Sequence, residues 1–281
     1  MINQPVANRP SLYVIPTPIG NLGDITLRAL NTLKSVDILL CEDTRVTKKL
    51  LNHYEISKQL MTYNDFSDDS IDFIVSQMES GVVFGLVSDA GCPGISDPGF
   101  KLINCVYQHN LFVEVLPGAS AFVTALIGAN IDREYFQFLG FLKTKASSLD
   151  KQLQLINDYP GVSIIYEAPR RLLKTLEVLN NNLDNAKFCV ARELTKLHEE
   201  WMWGDYQQVV DYYTNNPLKG EIVLLITTNK EVEIDDQQLI KAVNQEVSLG
   251  TLKNQAIKKV AKAYGYDKQY VYNLMIEEKD E

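Results

Sequence analysis

The sequence predicts an α/β fold followed by a helical appendage, and three observations carry that expectation. Short apolar runs with β-branched residues each end in a polar loop, and a helical pattern follows; this unit occurs four times by Ser120. Such a rhythm marks a parallel sheet covered by helices. The rhythm continues less strictly to Ile226, and beyond Asn229 only helical patterns remain. At 281 residues, 46% hydrophobic and 22% charged, the chain has room for one large domain or two with real cores, plus a small appendage.

Leu12-Tyr13-Val14-Ile15 reads as the first strand, running into the loop Pro16 to Asp24. Leu27, Leu30, Leu33 and Val36 then recur at helical spacing, with Thr26 or Asp24 placed to cap the helix. Asp37 to Cys41 is a second strand, and helical patterns run from Thr47 to Tyr54 and from Ser70 to Ser80. Val82 to Val87 has the length and composition of a buried strand. It breaks into a loop holding Gly91, Pro93, Gly94, Pro98 and Gly99 with two aspartates, Asp89 and Asp97. Glycines let a ligand approach the backbone, prolines hold the loop open, and open α/β sheets bind ligands at the C-terminal ends of their strands. Phe112 to Leu116 is a further strand, followed by a small-residue helix to Ala129.

Ile131 to Tyr135 reads as a hinge, so the expected division is a first lobe over 1–130, a second over 131–230 and an appendage over 231–281. The second lobe has strand patterns at Tyr135 to Gly140, Val162 to Tyr166, Phe188 to Ala191 and Gly220 to Ile226. Helical patterns run from Lys145 to Asp158 and through the leucine-rich stretch after Arg171. The appendage opens with the acidic linker Glu231 to Asp236. Helices are expected over Gln237 to Val247, Thr251 to Tyr264 and Lys268 to Met275, with Gly250 and Gly265 as stops. Three short helices with a Gly-Tyr-Asp turn suggest a helix-turn-helix unit. Lys253, Lys258, Lys259, Lys262 and Lys268 lie there against Asp267 alone, either a solvated face or a local nucleic-acid contact.

Composition and missing motifs exclude several functions. Net charge is −9, so an RNA partner must be held by a local basic surface. Cys41, Cys92, Cys105 and Cys189 are scattered, and His53, His109 and His198 are isolated, which argues against a metal site or disulfide framework and fits a reducing cytoplasm. The start of the chain lacks a signal-peptide pattern, and no apolar run approaches a membrane span. Dinucleotide and triphosphate cradles and the nucleophile elbow are absent. What remains are strand-end loops offering backbone groups rather than strong nucleophiles, an inventory suited to a polar cofactor that carries its own reactivity.

Taken together, the loops PTPIGNLGDITLRAL, CEDTR, SDAGCPGISDPG, PGAS, YEAPRR and ARELTKLHEE resemble, in order and spacing, the tetrapyrrole-methylase-like family. Within it they are similar to the branch that methylates small-subunit ribosomal RNA, over about Leu12 to Ile226. Leu252, Lys253, Ala256, Lys268, Val271 and Tyr272 resemble that branch's helix-turn-helix appendage. The resemblance implies a bilobal α/β fold with S-adenosylmethionine in the cleft between the lobes, commonly as a homodimer. It also implies in-line attack of a cytidine 2'-hydroxyl of 16S rRNA, in the 30S subunit, on the sulfonium carbon. Carried over by position, Ile19 and Gly20 would lie near the cofactor. Gly91, Cys92 and Ile95 would line its methionine side, Ser120 and Ala121 would touch it, and Tyr166 would sit near the adenine. Cys92 stands where a threonine is expected, so a contact there would run through backbone. Asn64-Asp65-Phe66-Ser67 replaces a histidine-rich segment, leaving Phe66 to stack on a base or the loop to be a tolerant surface.

A ribose hydroxyl is a poor nucleophile, so a base or a nearby cation should assist. Asp89, Glu167, Arg170 and Lys196 are the leading candidates, beside Arg192 and Glu193, and each could instead be a structural ion pair. Two other functions share these lobes: a tetrapyrrole-pathway methyltransferase and a non-catalytic ribosome-binding factor. The PTPIGN start and the lysines of the appendage argue against the macrocycle enzyme.

Overall fold

The computed structural model describes residues 9–65, 68–131, 134–216, 218–228, 236–264 and 266–277. Its first sheet contains β1 (Leu12–Val14), β2 (Ile38–Cys41), β3 (Gln59–Thr62), β4 (Phe84–Val87) and β5 (Val113–Val115). They lie in the order β3-β2-β4-β1-β5 and every pairing is parallel. Successive residues point to opposite faces of a strand, so neighbours such as Leu39 and Leu40 feed different cores. Leu39 packs with Leu33 of α1 (Leu27–Ser35) and Leu51 of α2 (Thr44–His53). Leu40 packs with Ile74 of α3 (Asp68–Glu79) and with Leu102 and Val106 of α4 (Phe100–Gln108). β4 is buried along its whole length, as its apolar run predicts. Thr26 caps α1, its hydroxyl oxygen accepting from the amide of Ala29 at 3.0 Å, while Asp24 closes a short 3-10 turn before it.

The second sheet is mixed. It contains β6 (Phe136–Phe141), β7 (Val162–Glu167), β8 (Ala186–Arg192), β9 (Glu200–Gly204) and β10 (Ile222–Thr228), in the order β6-β7-β10-β8-β9. Only β6 and β7 run parallel; the other three pairings are antiparallel. On one face lie α6 (Ala146–Asp158), α7 (Leu172–Asn182) and α8 (Tyr206–Asn215), contributing Leu153, Leu176 and Val209 to a shared core. The other face is covered by α5 (Ala121–Gly128), whose Ala125 and Leu126 pack on Ile164, Ala191 and Leu225. Although the sequence places α5 before the hinge, its packing partners belong to the second sheet. Ile19 joins the same cluster, so the loop after β1 and α5 both dock the first lobe onto the second.

Four elements escape the sequence pattern, α4 among them. β3 is an edge strand with no residue fully buried, and Gln59-Leu60-Met61-Thr62 shows no clear alternation. β9 and α8 follow the last recognisable motif; β9, at the other sheet's edge, is partly exposed throughout. α8 begins with a capping box, Asp205 and Gln208 each accepting from the other's amide.

The C-terminal helices are α9 (Asp236–Ser248), α10 (Lys253–Ala263) and α11 (Lys268–Glu277). They bury a core of their own from Leu239, Val243, Ile257, Val260, Val271 and Met275. The linker positions 231–235, the hinge positions 132 and 133, the expected stop at Gly265, and Phe66 and Ser67 lie outside the described residues.

Candidate active site

The loops that follow β1, β2, β4, β5 and β8 meet the end of β7 and the start of β10 at a cleft of about 380 Å³ between the two sheets. Thr17 and Gly91 form an isolated antiparallel bridge, each amide donating to the other's carbonyl at 2.9 and 3.0 Å. The Thr17 hydroxyl donates to Ser88 O at 3.1 Å, which ties the same two loops a second time. Gly91 sits at φ +77°, a conformation that costs a residue with a Cβ but not glycine. This bridge presents Ala90, Gly91 and Cys92 to the cleft against Ile19.

Seven of the eight expected cofactor residues line this one cavity: Ile19, Gly91, Cys92, Ile95, Ser120, Ala121 and Tyr166. Gly20 is the exception. A Cβ there would lie 2.5 Å from Lys196 Cγ and 2.8 Å from the carbonyl of Leu194, so Gly20 allows two loops to press together rather than facing the cavity. The Asn21 amide donates to Thr195 Oγ1 at 3.0 Å beside it, joining the first lobe to the second. The Cys92 thiol donates to Ala119 O at 3.4 Å and burial pushes its pKa up, so it serves as a neutral packing group. Burial also pushes the Tyr166 phenol up to about 12.

The polar part of the lining is acidic. Glu42, Asp89, Asp97 and Glu221 all border the cavity. Burial raises the pKa of Asp97, with Asp89 and Glu221 adding like charge. Glu42 is raised by burial, then by Asp89 and Asp97, and Asp89 is raised by partial desolvation in the cleft against the hydrogen bond from the Asp43 amide. Carboxyls held above their ordinary range by desolvation and by one another are those a bound cation would stabilise in the ionised form. Glu42, Asp97 and Glu221 were not singled out as site residues by sequence, although CEDTR and SDPG contain the first two.

The expected catalytic residues have different surroundings. Asp89 lines the cavity and is exposed, with Oδ1 accepting from the Asp43 amide at 3.2 Å. Glu167 is only 2% exposed. Its carboxylate accepts from the Ala168 amide at 2.7 Å and the Thr175 hydroxyl at 2.6 Å, and pairs with Arg171 Nε at 3.3 Å. Those three donors engage both carboxylate oxygens and brace the β7–α7 corner, although Glu167 also borders the cavity. Lys196 Nζ donates to Glu193 at 2.6 Å and to Glu221 at 3.0 Å, so its charge is compensated at the cleft edge. Arg192 is likewise paired with Glu200 at 3.0 Å. Arg170 is exposed on the short 3-10 turn after Glu167.

The appendage lysines are also unequal. Lys253 Nζ donates to Met275 O at 3.1 Å, and Lys259 pairs with Glu246 at 2.7 Å. Both hold the three-helix unit together. Lys258 and Lys268 are exposed, and the Lys262 side chain lies outside the described residues. No group of three or more metal-ligating side chains occurs among the described residues, and none of their helices is long and apolar enough to cross a membrane.

Residues 11–209 match the family model of the tetrapyrrole (corrin/porphyrin) methylases. The chain belongs to this family. Relatives with the name ribosomal RNA small subunit methyltransferase I match nearly end to end. The protein of Rickettsia prowazekii is 39% identical, over 96% of this chain and 98% of its own. That of Bacillus subtilis is 38% identical, over 93% and 92%. Among solved structures, uroporphyrin-III C-methyltransferase from Thermus thermophilus, complexed with S-adenyl homocysteine, aligns with a TM-score of 0.56 at 14% identity. That alignment covers 76% of this chain and 96% of the other. Diphthine synthase aligns with a TM-score of 0.59 at 9% identity, over 77% and 89%. At such identities these two structures speak for the fold alone.

The brace formed by Glu167 yields a direct expectation. Glu167→Gln turns an amide donor toward groups that themselves donate, which should lower stability by about 1–3 kcal/mol. An unchanged urea midpoint would remove the structural role assigned to this carboxylate.

Proposed function

We propose that this chain is an S-adenosylmethionine-dependent methyltransferase of small-subunit ribosomal RNA that methylates the 2'-hydroxyl of a cytidine. The observation that carries the reading is the acidic, partly apolar cleft, found in a chain whose relatives with that rRNA methyltransferase name match almost its full length.

The residues present fit the cofactor. A sulfonium and an ammonium group suit a cleft bordered by Glu42, Asp89, Asp97 and Glu221. Ile19, Ala121 and Tyr166 offer apolar surface for an adenine, and Ser120 with the backbone of Gly91 and Cys92 offers polar contacts. When bound, the cofactor supplies a methyl group already activated on sulfur. The chain's task is then to position a ribose hydroxyl in line with that methyl and to exclude competing water. Positioning of this kind can supply roughly 7–11 kcal/mol of the barrier reduction. Asp89 is the expected carboxylate best placed to take the hydroxyl proton, because Glu167 has its oxygens occupied. Arg170, exposed just beyond Glu167, is suited to a phosphate of the incoming strand. Residues 236–277 act as the RNA-contacting appendage through Lys258 and Lys268, as the family resemblance suggests. The same resemblance supports a homodimer working in the cytoplasm, where small subunits are assembled.

The test is transfer of radiolabelled methyl from S-adenosylmethionine to purified 30S subunits that lack this modification, with nuclease mapping of the product. Label in a single ribose-methylated cytidine is expected; cofactor binding without label in RNA would reject the substrate. In the same assay Lys258→Glu with Lys268→Glu should reduce transfer and make subunit binding less salt-dependent, by about one unit of log–log slope per lost phosphate contact. Equal transfer and equal slope would remove the appendage from RNA recognition.

A further inference from the structure

Phe141 ends β6 at the mouth of the cleft with 44% of its surface exposed. The backbone around it is built with unusual care. Gln152, 9% exposed on α6, accepts from the Lys143 amide at 2.8 Å and donates to Leu139 O at 3.3 Å, clasping the segment on both sides of Phe141. Arg171 donates to Leu142 O at 3.1 Å while paired with Glu167. The register of β6 against β7 shifts between Phe138 and Phe141, and Gly140 within the irregularity has φ +64°. Bulges of this sort re-aim a side chain. Here the result is an aromatic ring left half in water, 5.8 Å from the Tyr166 ring and steeply inclined to it. Across the mouth, a Cβ at Gly140 would lie 3.8 Å from Ser96 Oγ, next to Ile95, which is itself 48% exposed.

One buried and one half-buried polar side chain, Gln152 and Arg171, hold the end of a strand that carries an exposed ring, which indicates a ring held ready for a partner. The partner's chemistry follows from the surroundings. Glu42, Asp89, Asp97 and Glu221 make the cleft hostile to phosphate, so an entering nucleotide must present its sugar and base there while its phosphates stay outside. A flat apolar ring suits the face of a base, and single-stranded RNA is commonly read by splaying bases onto aromatic side chains.

We propose that Phe141 is the stacking platform for the nucleobase of the nucleotide being methylated, held in place by Gln152 and Arg171. This rests on the RNA-methyltransferase reading above. The experiment measures kcat/KM for 30S subunits and, by calorimetry, S-adenosylmethionine affinity for the parent enzyme, Phe141→Ala and Phe141→Tyr. Phe141→Ala should lose about tenfold or more in kcat/KM, in line with the usual value of one base–aromatic stack, with cofactor affinity unchanged. Phe141→Tyr, which keeps the ring, should stay near the parent. Full kcat/KM in Phe141→Ala would overturn the proposal, as would an equal loss in both variants. A parallel loss of cofactor affinity would also overturn it, by assigning the ring to the adenine. A parent enzyme that binds cofactor but does not methylate 30S subunits would overturn the functional reading and this proposal with it, and is told apart because the failure precedes any substitution.

Discussion

The reciprocal hydrogen bonds between Thr17 and Gly91 join the loops that leave two adjacent strands, and the form of the cleft depends on them. The Thr17 hydroxyl on Ser88 O and the Cys92 thiol on Ala119 O add to that tie in fixing the loop after β4. With the tie in place, Gly91 is kept at a backbone angle that leaves space instead of a side chain, opposite Ile19. Ile19 in turn belongs to the core beneath α5, and its neighbours Gly20 and Asn21 are pressed and hydrogen-bonded to Thr195 and Lys196 of the second lobe. One backbone contact is thereby continuous with the packing between lobes.

The charge distribution divides the molecule's work. The cleft collects carboxylates close enough to raise one another's pKa, an arrangement that favours a cation and repels a phosphate chain. Exposed cations stand outside its lining, with Arg170 on the 3-10 turn after β7 and Lys258 and Lys268 on helices with a separate core. Under the proposed function, a protein of net charge −9 would engage RNA locally while its cleft would admit the sugar and base of one nucleotide.

Much of this was legible before the structure. Apolar runs such as Val82 to Val87 announced central strands because burial on both faces demands continuous hydrophobicity. Edge strands carry no such demand, which is why β3 and β9 left little trace. Most of the cleft's lining was legible through the family resemblance of the strand-end loop motifs. Gly20 shows the limit of that reading, since its small size serves loop packing rather than the cavity. Ionic candidates were the least legible. Glu167, Lys196 and Arg192 look in sequence like unpaired charged groups, and the structure shows each of them with a polar partner. Phe141 carried no signal, because its significance lies in a bulge and in two distant side chains, Gln152 and Arg171.

The most direct measurement is the calorimetric affinity of Gly91→Val for S-adenosylmethionine beside that of the parent protein. A β-branched residue is strained at φ +77°, and its Cβ would lie 3.4 Å from Ile19 Cγ2 at the cleft wall. The expected result is a loss of affinity of about tenfold or more with a cooperative thermal transition retained. Unchanged affinity in the folded variant would contradict the placing of the cofactor against the Thr17–Gly91 tie.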